Sequence, residues 1–164
     1  CFLFLANTMK RVYLSYAACS YITSVTRNRI PFFQDKENII ILLNTFSFYR
    51  ERGDFKLFGY VIMPDHFHTA MLPLKGTISD IMRNIKAYTG NVLRNRMGID
   101  YDIWQDSFYD HKILDKKDLI TKLNYMHENP LRKGIVRDLS DYYYSSYINF
   151  YTDKRPFLEI DKIE

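Results

Sequence analysis

Two groups of residues in this chain have the types and spacing that chemistry needs. The first is His66-Phe67-His68. Successive side chains of a strand point to opposite faces, so in a strand the two imidazoles share a face, about 6–7 Å apart, and Phe67 points away. Two imidazoles so placed can close on one ion, although two ligands alone make a poor metal site. The same pattern also fits two hydrogen-bonded structural histidines. The second group is Tyr125 with Asn129, spaced i, i+4. At roughly 100° per residue, a helix lines up Asp118, Lys122, Tyr125 and Asn129 on one flank. Taken alone, that flank reads as ordinary surface structure. Taken with the histidines, an Asn carbonyl oxygen completes a three-ligand set with open positions, suited to Mg²⁺ or Mn²⁺. A tyrosine one turn away could then aim its oxygen at a phosphate. Free tyrosine has a pKa of about 10 and needs help as a nucleophile, which a nearby cation supplies by polarising the phosphate.

Elements must exist to bring these groups together. Residues 12–25 are rich in Tyr, Ile, Val and Thr, which predicts a strand. Asp35 precedes Ile39, Leu42, Leu43 and Phe46 at helical spacing, with Gly53 as the stop. Phe55 to Met63 and His66 to Leu72 predict two strands around the turn Pro64-Asp65. Thr77 and Asp80 have capping-box spacing before the stripe Ile78, Ile81, Met82, Ile85 and Val92. Residues 98–107 read as a loop around Trp104, and Phe108 to Leu114 as a fourth strand. Asp115 caps a last helix with the stripe Leu119, Ile120, Leu123 and Met126, ended by Pro130. The order β-α-β-β-α-β plus one helix predicts an α+β chain. Its expected fold is a ferredoxin-like split β-α-β sandwich, an antiparallel sheet with helices on one face and an additional helix carrying the Tyr.

Composition removes other classes. The 164 residues suit one domain, and 47% hydrophobic content can bury a core. A net charge of +4 allows a polyanion partner without requiring one. Only Cys1 and Cys19 are present, so a reducing, cytoplasmic location is expected rather than a disulfide framework. No apolar run approaches the ~20 residues needed to span a bilayer. The apolar residues 1–6 precede Lys10-Arg11, the reverse of secretory-signal order. Residues 1–8, ahead of Met9, are expected to lie upstream of the natural start.

The segment Tyr60-Val61-Ile62-Met63-Pro64-Asp65-His66-Phe67-His68 resembles the His-hydrophobic-His strand of the HUH endonuclease superfamily. Trp104-Gln105, Phe108-Tyr109-Asp110-His111, Tyr125-Met126-His127-Glu128-Asn129-Pro130, Gly134 and Tyr144-Ser145-Ser146 are similar to its single-tyrosine transposase-like branch. The nearest resemblance is to the REP-associated tyrosine transposases, over residues 21–147. Asp65 before the first histidine is a small departure.

The resemblance implies a nuclease and strand transferase acting on single-stranded DNA near a hairpin. Tyr125 would attack the phosphate and form a 5′-phosphotyrosyl bond. His66, His68 and Asn129 would hold the metal, Mg²⁺ or Mn²⁺. The expected domains are an N-terminal extension (1–15), a catalytic domain (16–149) and a tail (150–164). The protein would act as a monomer or homodimer, with no membrane partner. Lys86 and Arg83 are candidate DNA contacts on the polar side of the second helix, along with Trp104 and His111. Each also has a plainer reading: a solvated charged face for the cations, a loop anchor for Trp104 and a structural histidine for His111. His127, two residues from Tyr125, should point elsewhere and is not counted as a ligand. Two rival readings remain, a non-catalytic nucleic-acid-binding module on the same sheet and a hydrolase using metal-bound water.

Overall fold

A computed structural model describes residues 18–164. The first half of the predicted opening strand, the N-terminal extension and the natural-start expectation therefore lie outside the described residues. Strand β1 is Ser20–Val25. Strands β2 (Phe55–Met63) and β3 (His66–Pro73) form a hairpin around Pro64-Asp65, with Met63 opposite His66. β1 pairs antiparallel with β3, Thr23 facing His68. Strand β4 (Tyr109–Lys112) pairs antiparallel with the other edge of β1, Tyr109 facing Thr23. The sheet order is β2-β3-β1-β4, which is the ferredoxin-like arrangement the element order predicts.

The helices start where their caps predict. Helix α1 (Lys36–Glu51) begins at Asp35, whose side chain accepts from the Glu37 N–H at 2.9 Å. Helix α2 (Ile78–Met97) has the reciprocal capping box of Thr77 and Asp80 and ends at Gly98, whose φ of 66° is a left-handed cap. Both helices cover one face of the sheet. Leu42, Phe46, Met82 and Ile85 pack there against Ile22, Ile62, Phe67 and Met71. Leu93, rather than the predicted Val92, closes the α2 stripe, because at that turn Leu93 is the side chain facing the sheet.

Helix α3 (Lys116–His127) is capped by Asp115 and lies on the opposite face. Leu119, Leu123 and Met126 meet Tyr21, Val61, Met63 and Ala70. Ile120, predicted as part of this stripe, is 43% exposed because it sits one residue round the helix from the sheet-facing line. Gly59 on β2 permits the close seat of α3, since a Cβ there would lie 2.3 Å from Leu123 Cδ2.

Pro130 does not act as a simple stop. Helix α3 closes at His127, and a separate turn α4 (Asn129–Arg132) follows, with Pro130 in its first positions where a missing N–H costs nothing. Asn129 therefore sits just beyond the helix of Tyr125 rather than on its last turn. Past it, residues on both sides of a short helix α5 (Tyr147–Tyr151) run along the outer edge of β2. The Ser146 N–H donates to the Tyr60 carbonyl at 2.9 Å, and the Asp161 N–H to the Leu57 carbonyl at 2.7 Å. Arg50 binds the Asp161 carboxylate with two hydrogen bonds. This segment satisfies polar groups that an edge strand otherwise leaves open. Among the described residues no helix is long and apolar enough to cross a membrane.

Candidate active site

The period-two geometry of β3 turns His66 and His68 toward α3 and α4, and Phe67 toward α1 and α2. The imidazole centroids are 4.9 Å apart with their planes at 77°. The turn after α3 delivers the Asn129 amide between them. Its Nδ2 lies 3.2 Å from His66 Nε2 and 2.8 Å from His68 Nε2. All three side chains are buried.

The far side of each ring is held as well. His66 Nδ1 meets Asp65 Oδ1 at 2.6 Å. A carboxylate accepts, so the Nδ1 proton stays on the ring and Nε2 presents a lone pair. His68 Nδ1 pairs with Thr23 Oγ1 at 2.8 Å, and the Tyr21 ring stacks on His68 at 5.4 Å. Burial pushes the pKa of His66 down against the opposing pull of Asp65. Burial, then His66 and Arg132, push that of His68 down to about 3. Both rings are neutral at pH 7, as metal ligands must be.

The donor set fits a divalent cation. Two imidazole lone pairs converge on one buried amide, and hydrogen bonds on the outer nitrogens orient the rings. Beside two neutral rings the amide presents its N–H donors, and a half-turn of its terminal torsion presents Oδ1 instead. Among the described residues no group of three or more His, Cys, Asp or Glu could hold a metal, so this mixed set is the candidate.

Tyr125 lies near the end of α3, four residues before Asn129. It is 55% exposed, and the Arg132 guanidinium lies 4.1 Å over its ring. Arg132 also donates to the Tyr125 carbonyl at 2.7 Å and to Glu128 at 3.2 Å, which ties α4 to the end of α3. Tyr21 stacks on His68, and burial raises the pKa of its hydroxyl.

The other sequence candidates lie elsewhere or are already engaged. Lys86 donates to the backbone carbonyls of Gln105, Asp106 and Ser107, holding the loop before β4, and burial lowers its pKa. Arg83 is exposed and paired with Asp80 at 2.9 Å. Trp104 is buried against Phe33 and Phe67 and donates its indole N–H to Thr89 at 3.0 Å, the loop-anchor role. Arg83, Lys86, Trp104 and Phe108 border an open cleft of 460 Å³ between α2 and the loop before β4. His111 shares the face of the histidine pair but is bound to Asp118 Oδ2 at 3.0 Å. His127 points away from the pair and meets Ser146 Oγ at 2.7 Å.

Tyr21, Thr23 and Arg132 carry no role in the sequence reading, and Asp65 enters it as a turn residue and a small departure from the family pattern. Asp65 had a local signal, since a carboxylate next to a strand-borne histidine can reach its ring. Tyr21 and Thr23 had none, because their proximity depends on the β1–β3 register.

The chain is similar in sequence and fold to known proteins. A REP-associated tyrosine transposase of Escherichia coli K12 is 28% identical over 95 residues, covering 57% of this chain and 54% of the relative. A Haemophilus influenzae protein assigned to the same group is 31% identical over 108 residues, covering 59% of this chain and 61% of the relative. The match thus spans less than two thirds of either relative. The solved structure of a REP-associated tyrosine transposase bound to a REP hairpin superposes with a TM-score of 0.66 at 24% identity, covering 91% of this chain and 94% of that one. That likeness establishes the fold. A family model described as "Transposase IS200 like" matches residues 15–129, a stretch that includes both histidines, Tyr125 and Asn129. On that match, over well more than half of its length, the chain belongs to the IS200-like transposase family.

Proposed function

We propose that this protein is a metal-dependent endonuclease and strand transferase for single-stranded DNA beside a hairpin, with Tyr125 as nucleophile. One observation supports the reading: both imidazole Nε2 atoms converge on the amide of Asn129, four residues after Tyr125 in the chain. The hairpin preference follows the solved relative, which is bound to a REP hairpin.

In this reading His66, His68 and Asn129 would hold a divalent cation, Mg²⁺ or Mn²⁺. Such a cation supplies Lewis-acid polarisation of the scissile phosphate. The chain's own residues do the rest. Asp65 and Thr23 keep the imidazole lone pairs turned inward. Arg132 holds the Tyr125 ring and the backbone that carries it. Tyr125 Oη loses its proton and bonds to phosphorus while the P–O3′ bond breaks. The upstream fragment leaves with a 3′-OH, and the downstream fragment stays on Tyr125 through its 5′-phosphate. Attack by a 3′-OH reverses the step and joins strands without a nucleotide cofactor, because the covalent bond conserves the energy.

The test is incubation with hairpin-flanked single strands and Mn²⁺, followed by denaturing electrophoresis. A covalent protein–DNA band, absent with a chelator and absent in Tyr125→Phe, is the expected result. Hairpin binding with no adduct across varied flanking sequences would instead support the non-catalytic module. Cleavage surviving Tyr125→Phe but not His66→Ala would assign the attack to a metal-bound water.

A further inference from the structure

Among the described residues, Asn28 and Arg29 are the only non-glycine residues with positive φ, at 51° and 54°. Asn tolerates the left-handed region, whereas Arg is crowded there by its Cβ. The loop that holds them is fastened firmly. The Thr26 N–H donates to the Asp65 carbonyl at 2.9 Å, and the Thr26 hydroxyl reaches the Ile30 carbonyl at 2.8 Å. The Arg27 N–H binds the Ile103 carbonyl at 2.8 Å, and the Phe33 N–H the Pro64 carbonyl at 2.9 Å.

The strained backbone brings the Arg29 guanidinium to Asp65. Nη1 lies 3.1 Å from Oδ2, while the other carboxylate oxygen holds His66 Nδ1 at 2.6 Å. One carboxylate is thus fixed at both oxygens, by Arg29 on one side and His66 on the other. The Arg29 side chain is 65% exposed and that of Asp65 25%. An ion pair so exposed contributes little to stability. Global stability therefore gives no reason to keep two consecutive residues in a disfavoured conformation. Backbone strain held by over-determined surroundings is typical of functional sites.

We infer that Arg29 is a positioning residue: from a strained loop it holds the Asp65 carboxylate against His66 and so fixes the ring tautomer and orientation in the site. The inference rests on the proposed function for what His66 binds, but the tautomer it predicts can be read without metal or DNA.

The experiment uses the full chain with Arg29→Gly, Arg29→Ala and, as a control in the same loop, Arg27→Ala. The Arg27 guanidinium pairs with Asp102 at 3.7 Å. Imidazole ¹⁵N correlation spectra should show His66 as a single Nδ1–H tautomer in the wild type and the Arg27 variant, and as a tautomer mixture in both Arg29 variants. Mn²⁺ affinity, read by electron paramagnetic resonance without DNA, should weaken about 10-fold in the Arg29 variants, in the range seen when outer partners of ligands are removed. Arg29→Gly should meanwhile keep or raise Tm, since glycine relieves the strain, an outcome a purely structural arginine would not give. Wild-type His66 spectra in both Arg29 variants would overturn the inference and leave the proposed function standing. Altered spectra in a protein that neither binds Mn²⁺ nor forms the DNA adduct would support the positioning role while removing the proposed function.

Discussion

The two faces of the sheet are built from the same strands to opposite ends. Toward α1 and α2, β3 sends Phe67 and Met71 into an aromatic and aliphatic core, where Phe67 meets Phe46 at 5.2 Å and Trp104 at 5.4 Å. Toward α3 and α4 it sends His66 and His68, which meet a carboxylate, a hydroxyl and an amide. The first face repays burial through the hydrophobic effect. The second desolvates two imidazoles, which disfavours their charged forms. The face toward α1 and α2 can therefore hold the strand rigid, while the histidine end of the other face keeps lone pairs that are costly to bury. Adjacent residues of one strand should then separate stability from activity on mutation.

Tyr125→Phe should give the largest effect, complete loss of the covalent DNA adduct on a denaturing gel. Tm should not change, because the Phe ring still stacks under Arg132. A shift in Tm would mean that the functional face also carries the fold. The sharper test is the neighbouring pair. Phe67→Ala should cost about 3–5 kcal/mol in denaturant unfolding. His68→Ala should abolish cleavage at a far smaller stability cost, and equal stability losses would break the contrast between the faces. Gly59→Ala, which forces a Cβ into Leu123, should cost roughly 1–3 kcal/mol by the same measurement and loosen the seat of α3.

The smallest expected effect concerns Asp118, which anchors the start of α3 to β4. Burial raises its pKa, but hydrogen bonds from the Leu114 N–H and His111 outweigh burial and leave it lowered. A carboxylate whose folded pKa is depressed stabilises the fold above its unfolded pKa, about 4, and loses that contribution as pH falls through the folded value. Asp118→Asn should therefore flatten the loss of stability below about pH 4, with a difference at neutral pH on the order of 1 kcal/mol.

Local physics made much of the fold legible. The caps at Asp35, Thr77/Asp80 and Asp115 each satisfy orphan N–H groups within a few residues, so their helices start where the sequence places them. The alternation of His66, Phe67 and His68 is likewise a property of one strand. Errors arose where a residue's facing depends on its partner element. Ile120 and Val92 have the right type for an apolar stripe, but helix rotation against the sheet left Ile120 exposed and chose Leu93 in place of Val92. Lys86 looks like a free cation in the sequence, yet the fold places three loop carbonyls around it. The break between α3 and α4 was also hidden, because Pro130 is compatible with either an end or a fresh start.

By itself the sequence determined the chemical inventory and its local phase: a histidine pair on one strand face, a tyrosine and an asparagine near the end of a helix, and the order of elements. Those follow from backbone periodicity and capping, which act over a few residues. Only the tertiary structure decided that the asparagine meets the histidines, and that Thr23 and the Tyr21 ring meet His68. These contacts join residues distant in the chain, 61 positions apart for His68 and Asn129. Their partners are chosen by strand register and by the face on which α3 docks.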